Sequence, residues 1–121
     1  MEWVEPSRSR RVLVVDEEAP ARELTVLLEQ EGYAVESTAD GHDALRRLSE
    51  RAASVVVLDL GTPGTKGWAF LASKARIPEV APIPVVVVSK STPPRAPRGI
   101  VAWLQKPFAY DALLKVLRPW R

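Results

Sequence analysis

The sequence predicts an α/β fold in which five parallel strands form one sheet flanked by helices. Short, uninterrupted runs of β-branched residues, such as VLVV at 12–15 and VVVV at 85–88, are typical of strands that are buried on both faces. Between these runs, apolar residues recur at the i, i+3, i+4 spacing of amphipathic helices. Strands that alternate with helices pair in parallel, because each right-handed crossover starts the next strand in the same direction.

Each element has its own signal in the sequence. The predicted strands are 12–15, 33–38, 55–58, 85–88 and 100–104. The apolar stripes of the predicted helices are Leu24, Leu27 and Leu28; Leu45, Leu48 and Ala52; Trp68, Leu71, Ala72 and Ala75; and Tyr110, Leu113, Leu114 and Leu117. Pro20 suits a first helical turn, Gly32 suits a helix stop, and Asp40 with Gly41 suits a turn.

The stretch 89–99 interrupts the alternation. It is rich in proline, which removes backbone donors and prevents a regular helix. We therefore expect a proline-rich loop in place of a helix between the fourth and fifth strands. A length of 121 residues fits one domain, 1–121, with a core of about 11–118 and an N-terminal extension at 1–10.

The composition excludes several kinds of site. The absence of cysteine rules out disulfides and thiolate metal sites, and the single His42 cannot form a histidine zinc site. The net charge is +2 and the pI about 9.2, but the basic residues are scattered, so we do not expect nucleic-acid binding. No signal peptide and no apolar run of roughly 18 residues is present, so we expect a cytoplasmic protein without a membrane partner.

Five polar residues follow the predicted strands at or near their carboxyl ends. They are Asp16, Glu17, Asp59, Ser89 and Lys106. Because parallel strands all end at one edge of the sheet, and ligands bind at that edge, these residues should converge there. Taken singly, each has an ordinary structural explanation: a solvated strand end, a turn serine or a surface lysine. All of them falling at the same edge indicates a site.

Chemistry links these residues to phosphoryl transfer. Several carboxylates within a few ångströms raise one another's pKa unless a cation joins them, and Mg²⁺ prefers such oxygen ligands. Asp59 could then attack a phosphoryl donor as a nucleophile. Ser89 could hydrogen-bond the phosphoryl group, and Lys106 could neutralise its charge.

This ordered set resembles the receiver domain of two-component response regulators, a flavodoxin-like five-stranded fold, over roughly residues 11–118. The resemblance implies that Asp59 is the phosphoacceptor and that Ser89 and Lys106 bind the phosphoryl group. It also implies four Mg²⁺ ligands, which are Asp16, Glu17, Asp59 and the backbone carbonyl of Gly61. Pro63 and Gly67 follow Asp59 at the spacing of the family.

Three further positions take their expected roles from the resemblance. Trp103 stands where the family usually has a Tyr or Phe that changes rotamer on phosphorylation, although packing favours a core role for so large an indole. The Lys106–Pro107 peptide bond is expected to be cis. Lys90 replaces the usual alanine or glycine and could narrow access to Asp59, supply a counter-charge, or lie solvated over the loop.

The resemblance leaves two functions open. The first is a stand-alone receiver that accepts a phosphoryl group on Asp59 from a histidine kinase or phosphotransfer protein and is read by a downstream protein. The alternative is a degenerate receiver that acts as a phosphorylation-independent interaction module. Loss of the helix between the fourth and fifth strands would favour the second, and would uncover apolar surface that could support a homodimer.

Neither function makes the chain an enzyme, beyond phosphorylating and dephosphorylating itself. A phosphatase of the haloacid-dehalogenase type also places a nucleophilic Asp at a strand end. It needs a second Asp two residues later, where this chain has Gly61. We therefore reject a phosphatase of this type.

Overall fold

The computed structural model describes residues 10–16, 22–60, 65–92 and 99–120. The strands are β1 (Arg11–Asp16), β2 (Ala34–Thr38), β3 (Val55–Leu60), β4 (Val85–Ser89) and β5 (Ile100–Gln105). The helices are α1 (Arg22–Gln30), α2 (Gly41–Glu50), α3 (Thr65–Ala75) and α4 (Tyr110–Leu117), and a 3₁₀ turn, Arg118–Trp120, follows α4. The α/β fold predicted from the sequence is confirmed.

The five strands form one parallel sheet in the order β2-β1-β3-β4-β5. The chain moves outward from β1 to β2, then returns past β1 to β3, so the direction of winding reverses beside β1 and β3. The carboxyl ends of those two strands carry Asp16 and Asp59, which are register partners. In sheets of this kind the reversal leaves a crevice for ligands at that edge.

The sheet separates two apolar layers. On one face Phe70 and Leu48 contribute to a cluster beneath α2 and α3, and on the other Leu28 and Leu113 contribute to a cluster beneath α1 and α4. The first four residues of β3 are fully buried, and its side chains alternate between the two clusters. Burial on both faces explains why β1, β3 and β4 read as continuous apolar runs.

The predicted face of α3 is wrong at three of its four positions, whereas Leu71 packs against the cluster beneath α2 and α3 as predicted. We expected Trp68, Ala72 and Ala75 to face the core, but all three are exposed, Trp68 to 40%. Phe70 is buried instead, and its Cβ would lie 3.3 Å from a Cβ placed on Gly41 of α2. The close approach of the two helices therefore orients α3 through Phe70.

Lys74 completes the buried face of α3, although its charge argues for solvent. The residue is only 3% exposed, and its Nζ donates to the carbonyl oxygens of Ala81, at 3.0 Å, and Ile83, at 2.5 Å. Both acceptors lie in the segment that leads into β4. These hydrogen bonds satisfy the ammonium group in the interior.

Helix boundaries follow local signals. Gly32 has φ 97°, a left-handed conformation suited to glycine, and ends the α1 turn as expected. Asp40 and Gly41 were predicted to form a turn, but Asp40 caps α2, because its side chain accepts a hydrogen bond from the backbone N–H of His42 at 3.0 Å. No helix in the described part of the chain is long and apolar enough to cross a membrane.

The connection between β4 and β5 differs from its neighbours. Its described residues, 90–92 and 99, contain no helix, and the prolines of the predicted loop lie outside the described residues. The pairing of β4 with β5 shifts register after Val85, which pairs with Ile100, whereas Val86 pairs with Ala102. Val101 is skipped and is 54% exposed, so this edge strand carries a bulge.

Candidate functional site

Asp59 and Lys106 form the centre of the polar edge. Asp59 lies near the end of β3, and Lys106 directly follows β5. The Lys106 Nζ donates to both carboxylate oxygens of Asp59, at 2.9 Å from Oδ1 and 2.8 Å from Oδ2. The two side chains are 18% and 33% exposed, so the pair is shielded but open to solvent on one side.

Asp16 supplies a second carboxylate beside this pair. It ends β1 and is the register partner of Asp59 on the neighbouring strand, so the two backbones are separated by about 4.8 Å. Adjacent carboxylates on partly buried strand ends offer the oxygen donors that suit a hard divalent cation. The donor set of the described residues therefore fits Mg²⁺.

The remaining predicted metal ligands, Glu17 and Gly61, lie outside the described residues, as does Pro63. The described ranges contain no group of three acidic or histidine side chains placed to hold a metal. Asp16 and Asp59 are thus the two described members of the predicted ligand set.

Ser89 ends β4 within the same edge and is only 3% exposed. Its carbonyl oxygen accepts a hydrogen bond from the backbone N–H of Lys106 at 2.7 Å, which joins the ends of β4 and β5. Its Oγ accepts from the backbone N–H of Ser91 at 3.1 Å. The Ser89 hydroxyl is therefore in contact with the backbone of the loop that follows β4.

The Lys106–Pro107 peptide bond is cis, the isomer that the resemblance implies. Lys90, Lys106, Pro107 and Phe108 line an open depression of about 530 Å³. The Lys90 side chain is exposed, while its carbonyl oxygen accepts a hydrogen bond from Gln105 Nε2 at 3.2 Å. Two lysines and two apolar residues therefore line the depression.

Trp103 is half-buried against the apolar cluster beneath α2 and α3. Its ring stacks on that of Trp68, with centroids 6.1 Å apart and planes inclined by 29°. Its Nε1 donates to the carbonyl oxygen of Ser91 at 2.9 Å. The indole thus rests between α3 and the loop after β4.

Sequence reasoning missed two residues of this arrangement, Trp68 and Ser91. Trp68 was assigned to the core face of α3, and nothing in its spacing distinguishes a buried ring from one that stacks at the surface. Ser91 contributes only its backbone, so its identity carries no signal. The proline-rich loop that follows β4 was the one feature that directed attention to this segment.

Comparisons with known proteins find relatives over most of the chain. A family model described as the response regulator receiver domain matches residues 12–118. The phosphate regulon transcriptional regulatory protein PhoB of Escherichia coli is 35% identical over 82 residues, which are 67% of this chain and 36% of that protein. YkoG of Bacillus subtilis, an uncharacterized transcriptional regulatory protein, is 31% identical over 110 residues, covering 88% of this chain and 48% of that protein.

The chain thus spans between about a third and a half of the length of these two relatives. Among solved structures, the chemotaxis response regulator CheY4 of Vibrio cholerae superposes with a TM-score of 0.75 at 28% identity, covering 92% of this chain and 98% of that chain. The fold, the strand order and the family match all agree. The chain belongs to the receiver-domain family of two-component response regulators.

Proposed function

We propose that this receiver domain accepts a phosphoryl group on Asp59 from a histidine kinase or a phosphotransfer protein, with Mg²⁺ as cofactor. The observation that carries the proposal is the pair of hydrogen bonds from Lys106 Nζ to the Asp59 carboxylate. A carboxylate and a lysine side chain in contact at one edge of the sheet, with Asp16 on the neighbouring strand, support such chemistry. Membership of the receiver family supports the same chemistry.

In the proposed reaction, one carboxylate oxygen of Asp59 attacks the phosphorus of the donor. An O–P bond forms, and the bond from phosphorus to the leaving imidazole nitrogen or acetate oxygen breaks with its electron pair going to that atom. The product is an acyl phosphate on Asp59. The attacking group in this step is the ionised carboxylate.

Lys106 has to change its partner during the transfer. At rest it holds both oxygens of Asp59, whereas the product places new negative charge on the phosphoryl oxygens. Because the Lys106 side chain is 33% exposed, it has room to follow that charge. Ser89 would donate its hydroxyl hydrogen to another phosphoryl oxygen.

The metal would be held by Asp16 and Asp59, together with Glu17 and the Gly61 carbonyl. When bound, Mg²⁺ offsets the charge that develops on the transferred group. The opening between Lys90 and Lys106 is the proposed approach for the donor. Its apolar part, Pro107 and Phe108, suits an aromatic imidazole better than it suits water.

Intact-mass spectrometry after incubation with acetyl phosphate and Mg²⁺ tests the proposal. We expect one added phosphoryl group on the wild type, none on Asp59→Asn and none when the metal is chelated. Asp111→Asn is the matched control, because Asp111 is an exposed aspartate of α4, and it should be phosphorylated like the wild type. Phosphorylation that survives in Asp59→Asn would place the acceptor elsewhere.

A second function has one observation in its favour. The stretch 89–99 is rich in proline, which disfavours a regular helix, so a signalling surface that depended on a helix there would be altered. As a phosphorylation-independent interaction module, the chain would bind its partner equally well as wild type and as Asp59→Asn. No mass gain from acetyl phosphate or from a phosphorylated phosphotransfer domain would favour this second function.

A further inference from the structure

A hollow of about 390 Å³ lies between the start of α2 and α3, and we call it the α2–α3 hollow. Its walls include Ala39, Gly41 and Ala69, whose small side chains leave the space between the two helices unfilled. The described residues of the polar edge do not line it. Its volume falls in the range of roughly 300–1,000 Å³ that is usual for small-molecule sites.

The floor of the α2–α3 hollow is apolar and belongs to the core. Leu45 of α2 is half-buried and Phe70 of α3 is 3% exposed, and both pack in the cluster beneath α2 and α3. A Cβ placed on Gly41 would lie only 3.3 Å from that of Phe70, so the helices meet closely beside the hollow. The floor is therefore formed before any ligand arrives, and a flat aromatic ring could cover it without rearrangement.

Three polar side chains surround this floor, Asp40 and His42 from the start of α2 and Ser73 from α3. Asp40 Oδ1 accepts from the backbone N–H of His42 at 3.0 Å, and a carboxylate has further acceptor positions on its second oxygen. Within the described residues, no hydrogen bond engages the His42 imidazole or the Ser73 hydroxyl. All three side chains can therefore bond to a ligand.

The charge of the α2–α3 hollow selects the kind of ligand. Asp40 is its only carboxylate, and no lysine or arginine is among the described residues that line it. The arginines of α2, Arg46 and Arg47, donate to Asp43 at 2.6 Å and 2.7 Å, so their charge is matched within their own helix. The hollow is therefore complementary to a cation rather than to an anion.

We propose that the α2–α3 hollow binds a small aromatic amine, with the ring of the ligand against Leu45 and Phe70 and its ammonium group at Asp40. A polar group at the other end of the ligand would meet Ser73. This site is separate from the phosphoryl chemistry proposed for Asp59, and it stands or falls without it. Tyramine, which joins a phenol ring to a primary ammonium group, is a suitable probe.

A titration of the whole chain followed by NMR tests the chemistry of the ligand. We expect tyramine to shift the backbone amides of Gly41, His42 and Phe70 with a dissociation constant on the order of 1 mM or tighter. The analogue 4-hydroxyphenylacetate carries a carboxylate on a similar ring and should bind at least about fivefold more weakly. Equal affinity for the two compounds, or no saturable shift of these amides by tyramine, would overturn the proposal.

Asp40→Asn tests the contact with the ammonium group. Because asparagine caps a helix about as well as aspartate does, α2 should be retained while the charge is lost. We expect tyramine to bind about threefold to fivefold more weakly to this variant. Asp111→Asn, at an exposed aspartate of α4, is the matched control and should bind like the wild type. Unchanged affinity in Asp40→Asn would overturn the proposal.

A second variant locates the ligand by filling the α2–α3 hollow. Ala69→Leu adds three carbon atoms at an exposed wall position, and we expect it to weaken tyramine binding at least about tenfold. Ala72→Leu makes the same change at an exposed position of α3 that does not line the hollow, and should leave binding unchanged. Thermal unfolding checks that both variants fold. Undiminished binding to a folded Ala69→Leu would place tyramine elsewhere and overturn the proposal. The comparison of tyramine with 4-hydroxyphenylacetate uses only the wild type, so it decides the matter even if Ala69→Leu does not fold.

Discussion

Lys106 Nζ donates to both carboxylate oxygens of Asp59, at 2.9 Å and 2.8 Å, so one ammonium group engages the whole carboxylate. A metal ion that binds Asp59 must share it with this ammonium. Lys106→Met removes the competing cation, and we expect Mg²⁺ to bind more tightly by up to about fivefold, the scale of a partly exposed ion pair. Phosphorylation should nevertheless be slower, because the ammonium group that would follow the phosphoryl charge is gone.

Calorimetric titration with Mg²⁺ and the rate of mass gain from acetyl phosphate measure the two effects. Lys115→Met is the matched control, since Lys115 is an exposed lysine of α4 and neither effect should appear there. Equal Mg²⁺ affinity in wild type and Lys106→Met would show that the ammonium does not compete with the metal.

Lys90 should assist anionic donors rather than block them. Its exposed side chain and Lys106 flank a depression that is open to solvent, so Lys90 adds positive potential at the entrance. We expect Lys90→Ala to slow phosphorylation by acetyl phosphate about twofold to threefold at low ionic strength, with the difference vanishing at high salt. The rate constant measured as a function of salt concentration tests this expectation. A faster reaction in Lys90→Ala at every salt concentration would instead make Lys90 a steric barrier.

The strands were predicted to within a residue or two, and for β1, β3 and β4 the strong signal comes from burial on both faces. The runs VVVL and VVVV became β3 and β4. β3 extends further through Asp59 and Leu60, and β4 extends through Ser89. The face of α3 failed because several stripes fit the same period. Phe70 is buried through its contact with α2, and Lys74 through two carbonyl acceptors, neither of which is local in sequence.

In the candidate site, too, some contacts could be predicted from the sequence and others could not. Asp59 and Lys106 could be brought together from sequence, since parallel topology alone places the ends of β3 and β5 at one edge. The contact of Trp103 with Ser91 could not be predicted from the sequence, because its acceptor is a backbone carbonyl oxygen. The Trp68 stack depends on the register of β5, which is shifted by the bulge at Val101.

Removal of the hydroxyl group should affect the free energy of unfolding differently at Tyr110 and at Tyr33. The buried Tyr110 hydroxyl has no hydrogen-bond partner among the described residues, whereas the Tyr33 hydroxyl donates to the Leu117 carbonyl at 3.1 Å. Tyr110→Phe should therefore leave the free energy of unfolding unchanged or raise it. Tyr33→Phe should lower it by about 1 kcal/mol, because a hydrogen bond is lost and a carbonyl is left without its donor.

Tyr110→Phe should also differ from the wild type in how its stability changes in alkali. Burial, with a smaller contribution from Glu31, raises the pKa of Tyr110 from 10.0 to about 12. Between these values the unfolded chain loses the phenolic proton first, so stability falls as the pH rises. Urea unfolding should show that Tyr110→Phe loses less stability than the wild type over this interval. Parallel curves would contradict the burial of the phenol.

Lys74 should make stability depend on pH in the opposite sense. Burial lowers the pKa of its ammonium group below the ordinary 10.5. In the interval below 10.5 the folded protein releases this proton before the unfolded chain does, so the free energy of unfolding rises with pH. Lys74→Met lacks this contribution, and the stability of the wild type relative to the variant should increase as the pH is raised from neutral.

Urea unfolding of both proteins, kept below pH 10.0 where unfolded tyrosines ionise, measures that difference. Lys115→Met serves again as the exposed control and should follow the wild type at every pH. Because a neutral amine can still donate to the carbonyls of Ala81 and Ile83, deprotonation removes the cost of a buried charge without removing the hydrogen bonds. A difference that stays constant with pH would show that the ammonium is as well solvated in the folded protein as in the unfolded chain.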